Sequence, residues 1–152
     1  MSKIIVAESA GFCFGVNRAI NILYKLIDEN KPACTLGPII HNMQMVNELR
    51  EKGVRTIDKI SEVKENETIV IRSHGVPQSI VDEINERHLD YIDATCPFVS
   101  KIHKIVSETD DDSIVIIAGD KNHPEVQGIM GHCKSKCYTF KNPVSYTHLT
   151  LP

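Results

Sequence analysis

The segment TIVIRSHGVPQSIVDEINERHLDYIDATCP, residues 68–97, reads as strand, junction, helix, strand and junction again. Residues 68–72 form a short β-branched run. Ile80, Val81 and Ile84 then recur at helical spacing, and residues 91–93 make a second short run. Pro97 suits the first turn of a following helix. A strand, an amphipathic helix and another strand make the repeating unit of a parallel sheet with crossover helices.

The same alternation continues outward in both directions. Further strand-like runs lie at residues 3–7 and 113–118, with weaker ones at 34–36, 54–57 and 137–140. Between them, Val16, Ala19, Ile20, Leu23, Leu26 and Ile27 fall on one helical stripe. Met43, Val46 and Leu49 form another, with Gly53 as its stop; Val99, Ile102, Ile105 and Val106 form a third, and Val126, Ile129 and Met130 a short fourth. The fold class is therefore α/β, in Rossmann-like lobes. No repeat or low-complexity segment interrupts the pattern.

Composition narrows the function. With 41% hydrophobic and 24% charged residues, 8 Gly and 7 Pro in 152 residues, collagen-like, mucin-like and wholly disordered classes are excluded. The length suits one domain or two small α/β lobes. Seventeen basic against twenty acidic residues give a net charge of −3, with no basic footprint for nucleic acid. Asp110-Asp111-Asp112 reads as a solvated turn. The longest clean apolar run, Ile114 to Ala118, is far too short for a bilayer. No signal peptide is evident at Met1-Ser2-Lys3-Ile4-Ile5-Val6. A cytoplasmic location is expected, with the five cysteines reduced, ligating or catalytic.

Placement of the reactive side chains is the informative fact. Cys13 lies in Gly11-Phe12-Cys13-Phe14-Gly15, before the first helix, and His41 precedes the second. His74 follows the 68–72 run, Cys96 sits in Asp93-Ala94-Thr95-Cys96-Pro97, and His123 and Glu125 follow the 113–118 run. Five strand-to-helix junctions thus carry a Cys or a His. In open α/β sheets these junctions share one edge, where ligands bind. A helix N-terminus biases a thiol toward thiolate and, beside histidines, makes a pocket for phosphate. The array suggests a metal cluster next to an anionic substrate.

Each piece also has a plainer reading. A cysteine after a strand is usually a small buried apolar residue, and Cys34 is read as core. A loop histidine is more often a surface residue, and Glu125 could simply favour the helix dipole. Cys133-x-x-x-Cys137 has only His132 as an obvious third zinc ligand, so it is not taken as a metal site. Spacing alone does not separate iron–sulfur from zinc. The alternatives are a zinc-dependent enzyme, such as a hydrolase, or a non-catalytic phosphate-binding fragment using the same Cys/His edge.

Gly11-Phe12-Cys13-Phe14-Gly15-Val16, His41-Asn42, Ser73-His74-Gly75-Val76, Asp93-Ala94-Thr95-Cys96-Pro97 and His123-Pro124-Glu125-Val126 occur in this order. Together they resemble the 4-hydroxy-3-methylbut-2-enyl diphosphate reductase family, over about residues 3–131 and the first half of the family's length. The resemblance implies a three-lobed α/β enzyme around a 4Fe-4S cluster held by three cysteines. Cys13 and Cys96 match the first two ligands, and the third lies beyond this chain. His41, His74 and His123 match the diphosphate pocket, and Glu125 the proton source. The implied reaction is reductive dehydroxylation of (E)-4-hydroxy-3-methylbut-2-enyl diphosphate to isopentenyl and dimethylallyl diphosphate. An external donor such as ferredoxin or flavodoxin would supply the electrons.

On this basis residues 1–13 form an N-terminal strand and cluster-ligand loop, 14–97 a first α/β lobe and 98–143 the start of a second. Residues 144–152 are read as a non-family tail, a truncation or artefact. The chain is expected to be an incomplete N-terminal fragment, inactive alone.

Overall fold

The computed structural model describes residues 3–7 and 10–142, and from Phe14 onward helices and short strands alternate. In chain order they are α1 (Phe14–Asp28), β1 (Ala33–Leu36), α2 (Met43–Glu51), β2 (Arg55–Ile57) and, after a 3-10 turn at Ile60–Glu62, β3 (Thr68–Ile71). Then come α3 (Gln78–Glu86), β4 (Tyr91–Asp93), α4 (Pro97–Ser107), β5 (Ile114–Ala118), α5 (Pro124–His132) and β6 (Lys136–Phe140). Pro97 and Pro124 open α4 and α5, where a missing N–H costs nothing. The Asn42 side chain caps α2 by accepting from the Met45 N–H at 3.1 Å.

β1 to β4 form one parallel sheet in the order β2-β1-β3-β4. Thr35 pairs with Val70, and Ile71 with Asp93. Both faces are covered, which is why β3 reads as a continuous apolar run. Val70 and Ala33 face a core with Ala19, Ile20, Leu23 and Leu26 of α1. Ile69, Ile71, Cys34 and Leu36 face the other way, packing with Ile57 and with Ile84 of α3. Ile69 is fully buried; a side chain in that position contributes about 1.5–3 kcal/mol through burial alone. Cys34 is core, as expected, and burial beside Glu67 pushes its thiol up to about 12.

β1 and β3 are neighbours, yet their outgoing helices lead to opposite ends of the sheet, β1 through α2 to β2 and β3 through α3 to β4. The strand order therefore reverses between them. A crevice opens beyond their carboxyl ends, the usual ligand position in such sheets. β5 and β6 make a second, two-stranded parallel sheet, and α4 and α5 pack against each other.

Two expectations are corrected. Residues 3–7 form no strand; they run without secondary structure, with Ile4, Ile5 and Val6 exposed. A β-branched run needs a neighbouring ladder, and this one joins neither β2 nor β4, the edges of the larger sheet. On α4 the buried stripe is Val99, His103 and Val106, whereas Ile102 and Ile105 of the expected stripe are exposed. The tail expected at 144–152 lies outside the described residues.

Candidate functional site

The loops leaving β1 and β3 bring two imidazoles into the crevice. His41 follows β1 and His74 follows β3, and their ring centroids are 4.5 Å apart. His123, the N-cap of α5, adds a third ring at 5.5 Å from His41 and 5.8 Å from His74. A cleft of about 340 Å³ opens beside them, lined by Phe12, Val16, Ile40, His41, Ser73 and His74. That volume suits a small ligand.

Hydrogen bonds tie the junctions to one another. The Ser73 hydroxyl donates to the Ile39 carbonyl at 3.1 Å, joining the β3 loop to the β1 loop. The Cys96 N–H donates to the Ser73 carbonyl at 2.9 Å, joining the start of α4 to the same loop. Arg18 of α1 donates to the Thr95 and Asp93 carbonyls at 3.1 and 3.0 Å, pinning α1 to the end of β4. At α5, the Glu125 N–H donates to His123 Nδ1 at 3.2 Å. With Nδ1 accepting that bond, Nε2 is the ring nitrogen left to donate to an anion.

His74 is half-buried, and its Nδ1 has no hydrogen-bond partner among the described residues. Burial, reinforced by His41, Arg72 and His123, pushes its pKa from 6.5 down to about 4. Half-buried Arg72 is itself shifted down by burial, and its guanidinium donates to the Gly75 carbonyl at 3.4 Å. The Arg72 cation close to His74 gives the crevice a positive lining, which an anion would relieve.

Cys13 and Cys96 stand at the N-caps of α1 and α4, and neither thiol is spent on a capping bond. Cys13 is exposed and Cys96 half-buried. The first turn of α1 closes on Cys96: a Cβ at Gly15 would lie 2.6 Å from its Sγ. Two free thiols at helix N-termini, with space kept at one sulfur, suit the ligand chemistry of an iron–sulfur group. Among the described residues, no set of three His, Cys, Asp or Glu side chains is arranged to hold a single metal ion. The zinc alternative finds no such set there.

The remaining cysteines are placed elsewhere. Cys137 is pushed up to about 12, by burial first and by its neighbour Cys133 second, and Cys133 Sγ donates to the Ile129 carbonyl. His132 turns away from that pair: it lies 3.1 Å from the Val76 carbonyl and stacks on His103. Glu125 is half-buried at the start of α5.

Arg72, Arg18 and His103 are residues that sequence reasoning missed. Arg72 stands two positions before His74, at the end of the same β-branched run, which was the available signal. Arg18 gave no signal, because an arginine on an amphipathic helix reads as a solvated face.

A pH dependence follows from the histidines. His74 and His103 both titrate near 4 in the folded chain, against 6.5 for an ordinary histidine. Between those values the unfolded chain binds more protons, so stability is complete above 6.5 and falls as the pH is lowered toward 4. Urea midpoints measured from neutral pH down to about 4.5 should decline steadily. A flat profile over that range would overturn the assignment of two buried neutral imidazoles.

Comparison with known proteins extends this picture. The LytB protein family model matches residues 4–150, reaching into the segment expected to be a foreign tail. The chain is 41% identical over 143 residues to a 4-hydroxy-3-methylbut-2-enyl diphosphate reductase of Alkaliphilus oremlandii, covering 92% of this chain and 51% of that protein. It is 43% identical over 141 residues to one of Clostridioides difficile, covering 91% and 50% respectively. A solved (E)-4-hydroxy-3-methyl-but-2-enyl diphosphate reductase, described as the terminal enzyme of the non-mevalonate pathway, matches with a TM-score of 0.80 and 40% identity. That match covers 97% of this chain and 54% of the solved one. A reductase structure from Plasmodium falciparum matches with a TM-score of 0.84 and 29% identity, covering 95% and 46%. The chain thus spans about half the length of the curated relatives it matches. With a family match over nearly its whole length and the same fold in solved reductases, the chain belongs to the LytB protein family.

Proposed function

We propose that this chain carries the N-terminal half of an iron–sulfur oxidoreductase site that removes the hydroxyl of (E)-4-hydroxy-3-methylbut-2-enyl diphosphate, giving isopentenyl and dimethylallyl diphosphate. The observation that carries the reading is the trio of imidazoles, mutually within 4.5–5.8 Å, at the strand-order reversal of a reductase-family fold. His41, His74 and His123 hold the diphosphate, helped by Arg72 and by helix N-termini that favour anions. Fixing that end restricts where the allylic hydroxyl can lie.

Cys13 and Cys96 would hold a 4Fe-4S cluster, with a third cysteine from outside this chain; when bound, such a cluster supplies electrons singly to cleavage of the C–O bond. Glu125 delivers one proton to the hydroxyl oxygen, which departs as water. After two electrons have been taken up, a second proton, from solvent, adds to one or the other end of the allyl group to give the two products. An external one-electron carrier of the ferredoxin or flavodoxin type recharges the site. In this reading residues 14–97 form one lobe and residue 98 onward begins a second, and the 152-residue chain alone is inactive. No helix among the described residues is long and apolar enough to cross a membrane.

The test is anaerobic reconstitution of a full-length polypeptide carrying this chain, with iron and sulfide, followed by assay of allylic diphosphate reduction. A brown protein that consumes the diphosphate and forms both products is the expected result. A colourless zinc protein, or a brown one that leaves the substrate intact, would sink the reading. Turnover by residues 1–152 alone would defeat the need for a further cysteine.

A further inference from the structure

α5, which carries His123 and Glu125 at its start, lies unusually close to the loop carrying His74. A Cβ at Gly131 would meet the Pro77 ring and come within 2.7 Å of Pro77 Cα. A Cβ at Gly128, one turn earlier on the same face, would lie 3.4 Å from the His74 carbonyl oxygen and 3.2 Å from His103 Nε2. On the loop side Gly75 has φ +74°, a backbone conformation natural to glycine, and a Cβ there would lie 2.5 Å from His103 Cε1 and 3.2 Å from Thr95 Cγ2. The edge of the His103 ring therefore fills a slot between the His74 loop and α5, next to the residue that precedes Cys96.

The face of the same ring is held as well. His132, at the end of α5, stacks on it with centroids 4.1 Å apart and planes 23° from parallel. His132 in turn contacts the Val76 carbonyl. His103 is only 8% exposed, and its Nε2 has no hydrogen-bond partner among the described residues. A buried imidazole nitrogen without a partner costs free energy that an aliphatic core residue would not. What the imidazole offers in return is a flat, rigid shape that fits between two glycines and a second ring.

We propose that His103 is a positioning residue for the anion pocket: wedged between Gly75 and Gly128, it sets the spacing of His74 from His123 and ties both to the Cys96 junction. It touches neither substrate nor cluster and acts through the backbone on either side of it. The inference rests on the reading of the histidine trio as a diphosphate pocket, but its geometric half does not.

The experiment compares a full-length polypeptide carrying this chain with its His103→Ala, Val106→Ala and His103→Phe variants. Val106 is a buried residue on the same helix, so its truncation loosens α4 without opening the slot. Two readouts are taken: the nuclear Overhauser effect between the His74 and His123 rings, and the affinity for inorganic diphosphate by calorimetry. His103→Ala should abolish the Overhauser effect and weaken diphosphate by about tenfold or more. Val106→Ala should lower the melting temperature while changing neither, and His103→Phe, which refills the slot with a flat ring, should recover most of both. The inference is overturned if the Overhauser effect survives His103→Ala, or if Val106→Ala removes it equally. Absence of diphosphate binding by the unaltered chain, with the two rings moving apart only in His103→Ala, would instead count against the pocket reading and leave the spacing role standing.

Discussion

Glu125→Gln, placed in a full-length polypeptide that carries this chain, should lower turnover by on the order of a hundredfold or more, with iron content and diphosphate affinity unchanged. Glutamine keeps the size and most of the hydrogen-bonding capacity of glutamate and removes only the titratable proton. The local backbone does not depend on that charge. Residue 125 is held through its N–H, which His123 Nδ1 accepts, and Pro124 fixes the first turn. Loss of a carboxylate from the start of a helix costs about 0.3–1 kcal/mol, too little to unfold α5. A rate decrease with the cluster retained would therefore report chemistry and not folding. Turnover measured at saturating electron donor and found unchanged would return Glu125 to a helix-start carboxylate.

Cys96→Ser should remove the iron altogether. A serine oxygen is a harder and less readily deprotonated ligand than a thiolate. The fold should survive, because the bond from the residue 96 N–H to the Ser73 carbonyl belongs to the backbone, and Pro97 still starts α4. Cys13→Ser should behave in the same way. Cys34→Ser is the contrast. Its thiol is fully buried in β1 and held protonated up to about pH 12, so it has no access to a cofactor. That variant should keep its iron and lose about 1–3 kcal/mol of stability, through burial of a hydroxyl in an apolar core. Iron and sulfide analysis of the three proteins after anaerobic purification decides the matter; equal loss in all of them would show that the ligands are misassigned.

The alternating architecture was legible because Ile69, Val70 and Ile71 are apolar on both faces while the flanking helices carry a single stripe. That contrast places a strand inside a two-sided layer before any coordinates exist. The junction positions of His41, His74 and His123 were legible for the same reason, since a parallel sheet sends every strand-to-helix loop to one edge. What pattern reading missed lies where helices meet helices. Ile102 and Ile105 are as apolar as Val99 and Val106, and a helical wheel cannot say which side packs. The choice was made by Gly75 and Gly128, distant in sequence, which leave a slot shaped for the ring of His103. The run at residues 3–7 misled in the opposite direction: β-branched side chains favour a strand only where another strand offers its backbone.

Because the three rings come from both sides of the seam between α5 and the His74 loop, the pocket exists only while that seam is closed. An anion that binds there binds the docked chain and not the undocked one, so its binding free energy is added to the cohesion of the two sheets. At a free concentration one hundred times its dissociation constant, that linkage amounts to about 2.7 kcal/mol. The supply of such an anion would then act on how long the seam stays closed.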